Sequence, residues 1–192
     1  MLWGGAADGG ALELRRDDKG GIRVAGRFPY ATETQLAPRR SEQFAARAFA
    51  GRIDAGQDIH FLAQHDYAHP LASRSAGTLT LRDGDAALEF EATITTEVAQ
   101  TSWARDMLAA LGAGLIRGLS PGFQVAPGGE TVERRGDGLR RTVRAADLFE
   151  LSAVTVPAYP AAQIEGRSWK PEPYKERAGS RSPLGGFNRW RP

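Results

Sequence analysis

The chain has 192 residues, 41% hydrophobic and 25% charged, with no cysteine and a formal net charge of +2. That length suits one domain with a tail, and the composition is that of a soluble globular protein. The lack of cysteine excludes disulfides, thiolate metal sites and a cysteine nucleophile, and suits a reducing cytoplasm.

No apolar run reaches the roughly 18–20 residues of a membrane span. The first residues, Met1-Leu2-Trp3-Gly4-Gly5, lack the basic region and apolar core of a secretory leader. Charge is uneven: residues 166–192 hold 7 Lys/Arg against 2 Asp/Glu, while residues 1–165 carry a net −3. The basic, Pro/Gly-rich end is expected to be a disordered, solvated tail. It repeats no basic helix and no aromatic platform, so nucleic acid is not an expected partner.

Residues 1–20 are Gly-rich and polar and are expected to be a flexible N-terminal segment. Ile22-Arg23-Val24-Ala25-Gly26 reads as a strand, and Arg27–Arg40, with Pro29 and Pro38, as a loop. Ser41–Ala50 is expected to be a helix, with Ser41 as its N-cap and Gly51 where a C-cap sits. Ile59–Ala63 is a short apolar strand running into His65-Asp66, and Asp66–His69 before Pro70 reads as a loop. Thr78–Arg82 and Ala87–Thr95 flank the turn signal Asp83-Gly84. In the second, Leu88, Phe90, Ala92 and Ile94 face one way and Glu89, Glu91 and Thr93 the other, which predicts one buried face.

Thr96 is expected to cap a helix running to Leu111, with Ala99, Trp103, Met107, Ala110 and Leu111 as its packing stripe. In Gly114–Val125 an apolar run is interrupted by Ser120 between Gly118, Pro121 and Gly122, which reads as a loop or bulge open to the approach of another chain. Thr131–Arg135 and Leu139–Arg144 flank a second turn signal, Gly136-Asp137-Gly138. Asp147–Val156 is apolar on both faces, with Leu148, Glu150, Ser152, Val154 and Val156 sharing one. Glu150 is thus a carboxylate among apolar neighbours and needs a partner, either a histidine or an arginine such as Arg140 or Arg141. Short strands, two hairpins and a few helices indicate an α+β, β-dominated fold. No dinucleotide or phosphate-loop fingerprint is present.

A serine, a histidine and an acid are the minimum set for serine hydrolysis, and Ser120, the His65/His69 region and Glu150 offer it. His65 and His69 are four residues apart, a metal-binding spacing on a helix. The intervening loop residues and the lack of a third ligand argue against a metal. His60 reads as a packing or surface residue.

Phe61-Leu62-Ala63-Gln64-His65-Asp66 with Pro70-Leu71, Gly118-Leu119-Ser120-Pro121-Gly122-Phe123, and Leu148–Ala158 resemble, in this order, the three signature blocks of the HK97-type prohead protease family, the serine proteases of phage capsid maturation. Gly26, Glu42 and Ala48-Phe49 are similar to that family's N-terminal part. The resemblance covers residues 20–165 and implies a prohead protease domain over 21–165, with a herpesvirus assembly-protease-like β-barrel surrounded by helices. It implies a serine endopeptidase that cleaves the scaffold protein or the scaffolding segment of the major capsid protein, and also itself, during procapsid maturation of a tailed phage or phage-like particle. The place of action would be the procapsid inside the host bacterial cytoplasm, without cofactor, metal or membrane, with dimers among the expected states. The alternative is a catalytically inactive capsid-assembly or scaffolding module on the same fold.

By position, Ser120 matches the family's nucleophile, His65 its general base and Glu150 the acidic third member. Pro121 departs from the pattern: proline has no backbone N–H and cannot donate to an oxyanion. Arg140, Arg141 and Arg144 are therefore the candidate oxyanion donors. Ala72, where the family often has glycine, is a second departure.

Overall fold

The structure, a computed structural model, describes residues 2–4, 11–16, 21–116 and 118–157. The expected basic tail at 166–192 lies outside them. Along the chain the strands and helices are β1 Leu2–Gly4, β2 Ala11–Arg16, β3 Ile22–Pro29, β4 Thr34–Ala37, β5 Arg40–Phe44, α1 Ala50–Asp54, β6 His60–Ala63, β7 Asp66–Ser73, β8 Leu79–Asp83, β9 Ala87–Ile94, α2 Thr96–Ala99, α3 Ser102–Gly112, β10 Gly118–Val125, β11 Glu130–Arg135, β12 Gly138–Val143 and β13 Ala146–Val154. The fold is α+β and strongly β-rich, as expected. Its three sheets are open, in the orders β1-β2-β3-β9-β8, β10-β13-β6-β7 and β11-β12-β5-β4. Among the described residues none of them closes on itself, which differs from the β-barrel surrounded by helices expected from the family resemblance.

The two hairpins form where the turn signals lie. Leu79 pairs with Ala92 and Asp83 with Leu88 across the β8–β9 turn. Glu130 pairs with Val143 and Arg135 with Gly138 across the β11–β12 turn, where Gly136 takes the left-handed φ of 59° that such a turn requires. β9 buries its alternate residues Leu88, Phe90, Ala92 and Ile94 as its pattern predicts. They join Val24, Phe61, Leu71, Leu119, Leu148 and Leu151 in one apolar core. Phe28, Phe44, Phe49 and Phe123 add a ring cluster to it, with edge-on contacts at 5.1–6.0 Å between centroids.

Several local expectations change. Ser41–Phe44 lies in β5, a strand parallel to β12, and only Ala50–Asp54 is helical. Tertiary pairing overrides helix propensity here. Glu42 is fully buried, and Arg141 of the neighbouring strand donates to it at 3.0 Å. The Ser41 hydroxyl bonds Glu33 at 2.5 Å and caps no helix. The helix expected from Thr96 is two helices. Thr95 caps the first through Val98 N–H, and Thr101 caps the second through Ala104 N–H. Thr101 Oγ1 also donates to the Val98 carbonyl at 2.8 Å, a local side-chain bond that competes with helix continuation. β3 runs on to Pro29 and β4 occupies part of the expected 27–40 loop. Asp66–His69 belongs to β7, an edge strand with two register shifts against β6, where Pro70 is tolerated because an edge strand has one unpaired side.

Candidate active site

The sheet β10-β13-β6-β7 builds the site, with β13 between β10 and β6. Ser120 does not sit in a loop: it lies inside β10, directly opposite Ser152 of β13, and Gly122 lies opposite Glu150. Side chains opposed across an antiparallel pair share a face, and alternation returns to that face every second residue. Ser120, Gly122, Glu150 and Ser152 therefore share one side of the sheet. β10 is an edge of this sheet among the described residues, which accommodates Pro121. The register shifts by a bulge between Gly122 and Phe123, immediately beyond the serine.

Gly122 has a packing reason to be glycine. A Cβ there would stand 1.9 Å from Glu150 Oε1 and 2.7 Å from its carboxyl carbon. The space a side chain would fill on β10 is taken by the carboxylate of β13.

The third contribution comes from the turn after β6, which runs parallel to β13, with Leu62 beside Ser152 and Ala63 beside Ala153. Gln64 and His65 then take consecutive left-handed conformations, φ 54° and 62°. Such strain in non-glycine residues persists only where the surroundings enforce it, and it concentrates at functional sites. Gln64 N–H donates to the Ala153 carbonyl at 3.1 Å, Gln64 Nε2 to Thr155 Oγ1 at 2.9 Å, and His65 N–H to Ser152 Oγ at 3.0 Å. The turn is thus bonded down onto β13 and carries the imidazole back to Glu150, where His65 Nδ1 lies 2.7 Å from Oε1. Ser152 Oγ donates to the other carboxylate oxygen, Oε2, at 2.6 Å. The partner that Glu150 needs is therefore the histidine and not Arg140 or Arg141.

Glu150 is 3% exposed, and Ser120 and Ser152 are fully buried. In a neutral imidazole, a carboxylate accepting at Oε1 places the proton on Nδ1 and leaves Nε2 as a lone-pair nitrogen. Both Nε2 of His65 and Oγ of Ser120 are buried without a hydrogen-bond partner. Buried polar atoms are nearly always paired, at a penalty of about 1–3 kcal/mol when they are not. A base nitrogen and a hydroxyl, the two atoms a hydrolytic serine would join, are thus both left open, and they do not bond each other in this structure. Burial, and next the charge of Glu150, push the phenol of nearby Tyr67 up, with Arg52 opposing.

The other candidates lie elsewhere. His69 Nδ1 pairs with Asp66 at 2.7 Å and its ring lies tilted against Trp103, centroids 4.9 Å apart. His60 pairs with Asp58 at 3.6 Å. Among the described residues no cluster of three or more His, Asp or Glu could hold a metal. Arg140 and Arg141 lie in β12, in a different sheet from Ser120. Arg140 pairs with Glu133 at 2.9 Å, while Arg141, 5% exposed, is held between Glu42 and Glu130. Arg144 is exposed and follows β12, next to the start of β13 at Ala146. Six residues of strand, about 20 Å at ~3.3 Å each, separate Ala146 from Ser152.

Ser152 and Gly122 are the residues that sequence reasoning left without a role. The alternation of β13 already put Ser152 on the face of Glu150, so that signal was available. Nothing local marks Gly122 as the cover of a carboxylate on another strand.

A family model described as caudovirus prohead serine protease matches residues 11–177, most of the chain. No curated protein and no solved structure matches it. No helix among the described residues is long and apolar enough to cross a membrane.

Proposed function

The chain belongs to the caudovirus prohead serine protease family, and from that premise we propose that Ser120, His65 and Glu150 are its nucleophile, general base and orienting acid. Membership makes it a serine protease of capsid maturation acting on capsid protein inside the phage procapsid. The finer reading is an endopeptidase that removes scaffold protein, or the scaffolding segment of the major capsid protein, within particles assembling in the host cytoplasm. A likeness of the β-rich core to the herpesvirus assembly proteases is part of the same proposal.

The chemistry follows from the groups present. His65 Nε2 takes the Ser120 proton as Oγ attacks the peptide carbonyl. The resulting imidazolium, held at Nδ1 by Glu150, gives that proton to the leaving amine. Water then releases the acyl group by the same path reversed. Pro121 has no N–H to offer the oxyanion, so the donors are other groups, with Arg140, Arg141 and Arg144 the proposed candidates; Arg140 and Arg141 would have to leave carboxylates they already bond.

The single observation that carries the reading is the His65–Glu150 bond, on a carboxylate that shares the sheet face of Ser120. Full burial of Ser120 favours the rival reading, an inactive assembly module. Co-expression with the phage's major capsid protein separates the two. Ser120→Ala is expected to abolish capsid-protein cleavage, read by gel and intact mass, while far-UV circular dichroism stays unchanged. Equal cleavage by Ser120→Ala removes Ser120 from the role, and no cleavage by the unaltered protein supports the module.

A further inference from the structure

We infer that Ser152 is a positioning residue of the reaction, an inference that rests on the assignment of Ser120, His65 and Glu150 above. Its hydroxyl is fully buried and engaged on both sides. It accepts from His65 N–H at 3.0 Å and donates to Glu150 Oε2 at 2.6 Å. Because Oε1 meets His65 Nδ1 at 2.7 Å, these bonds close a ring. The ring runs from the His65 backbone to the Ser152 hydroxyl, to the Glu150 carboxylate, to the His65 imidazole. Both ends of one residue are thereby fixed.

Three consequences follow. With both oxygens bonded, the carboxylate plane cannot rotate away from the imidazole. The left-handed turn at His65 is held down at its own N–H, so the imidazole starts from a fixed backbone position. The proton order around the ring also has one direction. A hydroxyl that accepts from an N–H and donates to a carboxylate keeps that carboxylate an acceptor, which keeps the imidazole proton on Nδ1 and the lone pair on Nε2. An alanine at 152 would remove one partner from a buried carboxylate and another from a buried N–H, and Glu150 would turn to recover a bond. Ser152 touches no reacting atom and acts through Glu150 and His65.

The test is kinetic, on the full-length protein, with a peptide spanning the capsid-protein cleavage site mapped by mass spectrometry. Ser152→Ala is expected to lower kcat about 10–100-fold, the order seen when a metal-ligating histidine loses its hydrogen-bonded partner, with KM within about threefold. In a Glu150→Gln background the same substitution is expected to lower kcat by a smaller factor, because the route through the carboxylate is cut and only the hold on the His65 N–H is left. Wild-type kcat in Ser152→Ala, or an equal factor in both backgrounds, overturns the inference. Should the alanine variant lose its fold, Ser152→Cys, near in volume and a weak donor, is expected to show the same slow kcat, and a wild-type rate there overturns it equally. Retained cleavage by Ser120→Ala would instead overturn the underlying assignment, so the two failures read differently.

Discussion

Gly122→Ala offers a sharp test of whether the Glu150 carboxylate sets the reaction rate. The added Cβ would lie 1.9 Å from Oε1, 2.7 Å from the carboxyl carbon and 2.9 Å from Cγ of Glu150. Ordinary contact begins near 3.4 Å, so the carboxylate must retreat by about 1.5 Å or the two strands must part. Retreat breaks bonds of 2.7 Å to His65 and 2.6 Å to Ser152. A displacement of about 1 Å in a catalytic constellation can cost ~100-fold in rate, so kcat should fall by about that factor or more. The overpacking itself should cost about 1–3 kcal/mol, lowering Tm by a few degrees in a chain of this size while leaving it folded at 25 °C. The assay is the time course of capsid-protein cleavage in co-expression, with Ser120→Ala as zero and circular dichroism for the fold. Gly84→Ala is the control, since its Cβ would meet nothing nearer than the Ala87 carbonyl oxygen at 3.5 Å. A folded Gly122→Ala that cleaves at the wild-type rate would show that the position of Glu150 does not govern the reaction.

Two further predictions concern the scaffold. Arg141→Met strips the guanidinium from the fully buried Glu42 and should cost about 3–5 kcal/mol, measured by urea unfolding. A loss below about 1 kcal/mol would show that this pair does not anchor β5 to β12. The second prediction is a pH dependence. Burial pushes the Asp83 carboxyl above its usual range, with the Tyr30 hydroxyl bond at 2.5 Å pulling the other way, and burial pushes the Tyr30 phenol up as well. The folded state then holds the Asp83 proton more tightly than the unfolded chain. The destabilisation from this charge is complete above the folded value and fades as pH falls through it toward the ordinary ~3.9. Asp83→Asn should therefore have the higher Tm at neutral pH, with its advantage shrinking as the solution is acidified. An advantage that grows on acidification contradicts this sign.

The sequence made some of this visible and hid the rest for physical reasons. β9 and β13 were readable because alternation and double-sided burial are local patterns, and Glu150 announced itself as a charge in an apolar strand. Its pairing with His65 spans 85 positions, yet it was one of two options that chemistry allowed. β5 was misread because what makes it a strand lies 99 residues away in Arg141. Seen alone, Ser41–Ala50 has helical content and a plausible cap. Ser120 was expected in a loop because Gly, Ser and Pro are turn residues. In the structure the same small residues let an edge strand pass over the Glu150 carboxylate. The break between α2 and α3 depends on which hydroxyl, that of Thr95, Thr96 or Thr101, captures an N–H, and composition does not decide that.

The central place of β13 has a further consequence. Its neighbours are an antiparallel strand on one side and a parallel one on the other, and each leads to one of the groups proposed to act together. A slip of a single residue in either pairing would turn a side chain through to the opposite face, so a compact but mis-threaded chain would be chemically mute. The fold thereby inspects itself. If Ser120, His65 and Glu150 act as proposed, a newly made molecule would gain the means to cut only once segments far apart in sequence had threaded correctly, which would withhold proteolysis from half-folded chains.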